Sequence, residues 1–62
     1  MKLDLENLPT GDPTAEALRD EYGNKSFTKT EIIDFIAEAA DDRNYAMHEF
    51  GELVKEGFIV EV

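Results

Sequence analysis

GELVKEGFIVEV, residues 51–62, changes its period half-way along. Leu53 and Val54 end an apolar helical face, Gly57 interrupts it, and Phe58, Ile59 and Val60 follow as a run of strand formers. A glycine just past the last helical turn adopts the left-handed conformation that closes a helix without a Cβ clash. The apolar run after it needs a partner, because a single edge strand is unstable in water. One other stretch offers itself. MKLDL, residues 1–5, alternates, with Met1, Leu3 and Leu5 on one face and Lys2 and Asp4 on the other. Residues 1–5 and 58–62 are therefore expected to pair as a short two-stranded antiparallel sheet.

Between these ends the capping chemistry marks three helices. ENLPTG (6–11) is turn chemistry, and Asp12 before Pro13 joins an N-cap acid to a first-turn proline. A short helix over 13–22 follows, with Ala15, Leu18 and Tyr22 inward and Gly23 at its end. Residues 24–27, NKSF, form an extended link. Thr28 and Glu31 make a capping box, with Phe27 placed to staple onto Ile32, and open a second helix over 29–40. Ile32, Ile33, Phe35, Ile36, Ala37, Ala39 and Ala40 cover about half its circumference, the width of a central helix. Its outer stripe is Glu31, Asp34, Glu38 and Asp41.

Asp41 or Asp42 caps a third helix over 44–56, with Arg43 in the turn before it. Ala46, Met47, Phe50, Leu53 and Val54 form its inner arc. Gly51, at the edge of that arc, suits close approach to an alanine such as Ala37 or Ala40. Ile32, Ile36, Phe50 and Leu53 are expected to be nearly fully buried. The whole is one α+β domain over residues 1–62: three helices and a two-stranded sheet in the order β-α-α-α-β.

Composition bounds the function. Sixty-two residues bury only about 60% of their unfolded surface, so the core is marginal. The absence of cysteine removes disulfides, thiolate chemistry and the usual zinc sites. The amino-terminal residues carry acids and no apolar run, unlike a signal peptide, and no stretch approaches the roughly 20 apolar residues of a membrane span. A soluble, cytoplasmic protein is expected. The net charge of −9 is spread along the chain, with six acids against two bases in residues 1–23 and nine against four in residues 24–62. Such a domain repels nucleic acid and anionic membrane and attracts basic surfaces. General acidity is also a solubility device of salt-loving organisms, although four lysines and four isoleucines fit that origin poorly.

Residues 25–59 resemble the winged-helix branch of the helix-turn-helix family: the extended KSF, a helix opening TKTEII, a turn, then a helix ending FGELVKEGFIV. The resemblance implies a three-helix core whose third helix is the recognition helix. Two departures stand against DNA reading. The chain ends after one wing strand, whose lost partner MKLDL would replace. The outward face of the third helix, which in that family meets phosphates, carries Tyr45, His48, Glu49, Glu52 and Glu56, with Asn44 and Lys55 at its margin. Three carboxylates there oppose the electrostatic attraction behind most non-specific DNA affinity.

Catalysis and metal binding find few parts. His48 is the only histidine and Ser26 the only serine, which argues against an enzyme. Asp41, Asp42 and Asn44 lack the spacing and glycine of a calcium loop and read as helix caps. No cofactor and no metal site is expected. Tyr45 among acids instead has the composition of an anchor for a basic protein surface, extended by Asp34 and Glu38 on the second helix. In size and charge the chain resembles inhibitors made by phages and mobile elements, DNA mimics and anti-CRISPR proteins among them. The expected function is a small non-enzymatic inhibitor or DNA mimic that docks carboxylates on a basic, nucleic-acid-handling partner. The alternative is a transcription regulator or nucleoprotein accessory factor with weak DNA binding, possible as a homodimer, which requires Lys25, Lys29, Arg43 and Lys55 to share one face.

Overall fold

Leu3 and Ile59 meet across the sheet that joins the two ends of the chain. In the computed structural model, which describes residues 1–61, β1 (Lys2–Leu3) runs antiparallel to β2 (Ile59–Val60), with Lys2 opposite Val60. The strands are shorter than the alternation of 1–5 and 58–62 suggests, and the expected end at Val62 lies outside the described residues. After Leu3 the chain turns: the Asn7 and Leu8 amides both donate to the Asp4 carbonyl, at 3.2 and 2.9 Å. Met1 is held on its other side by the extended link, exchanging two backbone hydrogen bonds with Phe27 at 2.9 and 2.8 Å.

Three helices lie between the strands, in the expected order β-α-α-α-β: α1 (Pro13–Tyr22), α2 (Lys29–Ala40) and α3 (Arg43–Lys55). Their starts differ in chemistry. Asp12 occupies the N-cap of α1 but makes no side-chain cap; Glu16 instead reaches back to accept from the Gly11 amide at 3.1 Å. At α2 both halves of the capping box form, Thr28 Oγ1 accepting from Glu31 N at 3.1 Å and Glu31 Oε1 from Thr28 N at 2.8 Å. Asp42 caps α3 by accepting from Tyr45 N at 3.0 Å, and Asp41 closes α2 in the left-handed conformation (φ 54°). The turn is thus two residues long and Arg43 belongs to α3.

The α2–α3 hairpin is the most extensive helix pairing. The core contains Ile32, Ile33 and Ile36 of α2, Ala15 and Leu18 of α1, Ala46 and Leu53 of α3, with Leu3, Phe27 and Ile59. Leu8, from the stretch read as a plain turn, is also buried. Arg19 fastens that turn to α1, its Nη2 donating to the Leu8 carbonyl at 3.1 Å and the Leu5 carbonyl at 3.4 Å, while its enclosed Nε has no partner.

Several inward assignments need correction. Phe50 is only half-buried, and its ring lies 5.6 Å from Lys29 Nζ. Met47 and Val54 are 54% and 45% exposed, and Ala39 and Ala40 are exposed too. Gly51 faces open space, where a Cβ would meet nothing within 4 Å, so no close alanine contact explains it. The reason is rotation. Helix α3 turns Ala46, Phe50 and Leu53 inward with Glu49 beside them half-buried, leaving Met47, Gly51 and Val54 as an outer stripe.

Candidate functional site

Residues four, three and four apart share one flank of a helix, so α3 aligns Tyr45, Glu49, Glu52 and Glu56. Tyr45 is 43% exposed and Glu56 is exposed, whereas Glu49 and Glu52 are half-covered. His48 projects beside this flank, its Nε2 4.0 Å from Glu52 Oε1 across one turn. The His48 side chain is 72% and that of Glu52 46% exposed, and a pair so open to water contributes little.

The second-helix acids Asp34 and Glu38, four residues apart, share the outer stripe of α2. Arg43 Nη1 donates to Asp34 Oδ1 at 2.7 Å, and Arg43 points to the side of α3 away from Tyr45, about 200° round the wheel. Asp34 therefore belongs to the outer face of the hairpin and is paired with Arg43. Glu38 is exposed next to Ala39 on α2. Of the expected residues, Tyr45, Glu49, Glu52 and Glu56 form one surface with His48 at its edge, and Asp34 and Glu38 stand on the outer stripe of α2.

What the sequence did not reveal is the groove beside Tyr45. It encloses about 520 Å³ between all three helices. Helix α1 contributes Pro13, Thr14 and Ala17; α2 contributes Phe35, Ile36, Ala39 and Ala40; Asp42 and Tyr45 close it from α3. Its floor is the part of the broad apolar arc of α2 that α1 leaves uncovered. The signal available in the sequence was the width of that arc, about half the circumference of α2.

At the other end of α2 the aromatic residues pack closely. Tyr22 lies 4.7 Å from Phe27 and 5.8 Å from Phe35 between ring centres, and its hydroxyl donates to the Glu31 carbonyl at 3.3 Å. Burial raises the Tyr22 pKa, helped by the carboxylates of Glu21, Glu31 and Asp34. Among the described residues, no three acidic or histidine side chains converge as a metal site, and no helix is long and apolar enough to cross a membrane. Comparison with protein-family models, curated proteins and solved structures yields no match.

Proposed function

We propose that this protein is a non-enzymatic, cytoplasmic binding module that docks an acidic surface onto a basic, nucleic-acid-handling partner, as an inhibitor or DNA mimic. One observation carries the reading: Tyr45, an exposed aromatic, stands where an apolar groove meets a helix flank bearing Glu49, Glu52 and Glu56. An amphipathic ring beside an apolar recess is the usual composition of a binding anchor, and surrounding charge of one sign steers an oppositely charged partner. The winged-helix resemblance gives this flank its sense, since it belongs to the helix that would otherwise approach DNA.

The regulator alternative draws less support. Arg43 is engaged by Asp34, Lys29 sits over the Phe50 ring, and Lys55 lies at the far end of α3 from Arg43. Twelve helical steps separate those two, roughly 18 Å.

The test pairs mobility shift with competition. The unmodified protein is expected to leave duplex DNA unretarded at physiological salt and to displace DNA from a basic nucleic-acid-binding protein. Glu49→Lys/Glu52→Lys is expected to slow association with that protein at least tenfold, the difference shrinking as salt rises. Tight, sequence-dependent DNA binding by the unmodified protein would overturn the proposal in favour of the regulator.

A further inference from the structure

The groove between the helices is apolar in floor and negative in setting. Ala17, Phe35, Ile36, Ala39 and Ala40 offer hydrocarbon, and Asp42 is the only charged residue lining it among those described. Helical spacing continues its stripes into acids, with Glu21 one turn beyond Ala17 and Glu49 one turn beyond Tyr45. No lysine or arginine lines the groove among the described residues: Arg19 is turned onto the Leu5 and Leu8 carbonyls, and Lys29 lies over Phe50. With Asp42 in the lining and a net charge of −9 on the chain, the groove favours a cationic occupant.

From this juxtaposition we infer that the groove takes a cationic amphipathic helix of the partner, its apolar stripe on Phe35, Ala39 and Ala40 and its lysines or arginines against the acidic rim. The inference rests on the proposed docking of a basic partner and names the segment recognised. Small side chains at Ala17, Ala39 and Ala40 let a helix backbone come close. Docking of an amphipathic helix through anchors at i, i+3, i+4 and i+7 suits a trough walled by helices. A second copy of this chain is a poor occupant, because each copy carries a charge of −9.

The experiment is an amide-shift titration of the isotope-labelled protein. Its probe is a synthetic peptide of about 15 residues with leucine at helical i, i+3, i+4 and i+7 spacing and lysine elsewhere. Two controls are a scrambled peptide of the same composition and a leucine–glutamate peptide of the same pattern. Shifts are expected to centre on Ala17, Ala39, Ala40 and Tyr45, with the scrambled peptide at least tenfold weaker and the glutamate peptide inert. Ala39→Lys, and independently Ala40→Gln, should weaken binding at least tenfold with the helical circular dichroism unchanged.

Shifts confined to Glu49, Glu52 and Glu56, with the scrambled peptide binding equally, would overturn the groove inference and leave the acidic docking surface standing. Equal binding of the glutamate peptide in the groove would overturn its cationic preference. No response to either lysine peptide up to about 1 mM would overturn the groove and the docking surface together.

Discussion

Ile32 and Phe50 illustrate how far residue identity falls short of residue environment. Both were placed inward by helical period, yet Ile32 is fully enclosed and Phe50 half in solvent. Ile32→Ala leaves a cavity and is expected to cost about 2–5 kcal/mol, comparable to the whole stability of so small a domain. Phe50→Ala gives up only part of its apolar area and a cation–π contact, and should cost about 1–2 kcal/mol. Parallel urea melts check the order, and an equal or larger loss at Phe50 would contradict the packing described. Tyr22 gives a second prediction. Its burial favours the neutral phenol, so the folded state holds the proton more tightly than the unfolded chain does. The resulting stability is intact below the ordinary pKa of 10.0 and falls as pH rises through the higher folded value. Tyr22→Phe should flatten this alkaline loss relative to the parent in melts between about pH 9 and pH 11. An unchanged pH slope would mean that the phenol is not shielded.

At the scale of elements, α3 carries a cost without a local return. Gly51 sits mid-helix, exposed, with nothing near the position of a Cβ. Gly51→Ala is expected to stabilise the protein by about 0.5–1 kcal/mol, since alanine loses less backbone freedom and meets no neighbour. Thermal denaturation measures it, and destabilisation would show that the space at position 51 is not open. Helix limits were largely legible in the sequence: α1 and α2 begin and end where Pro13, Gly23, Thr28 and the Asp41–Asp42 pair predict. The α3 flank of Tyr45, Glu49, Glu52 and Glu56 was equally legible, because helical spacing alone aligns it. The rotation of α3 was not. An arc containing Ala46, Met47, Phe50, Leu53 and Val54 offers two nearly equivalent inward faces. Packing on α2 selected the one with the smaller Ala46 at its centre.

For the whole molecule, charge is the largest departure from an ordinary domain. With −9 on 62 residues and only one close Asp–Arg pair in view, like-charge repulsion opposes the compact state. The Debye length falls from about 30 Å at 0.01 M salt to about 10 Å at 0.1 M, so added salt should relieve that repulsion before weakening anything else. Raising sodium chloride from about 10 mM to about 500 mM is expected to raise Tm by about 5 °C. A scanning-calorimetry series checks it, and a falling Tm would show that attractive pairs dominate.

By itself the sequence determined what depends on near neighbours: three helices, their caps, the two strand segments and the acidic flank of α3. Each of these rests on partners within about four residues, so local chemistry suffices. The pairing of the chain ends was also within reach, because two apolar strand segments had only each other. Only the tertiary structure decided which apolar residues stay outside. Period identifies an apolar face but not the area of the element opposite it. Ile32 and Ile36 are buried on α2, whereas Ala39 and Ala40 stay exposed and face Pro13, Thr14 and Ala17 of α1 across an open recess. The groove beside Tyr45 is the space those facing surfaces leave unfilled.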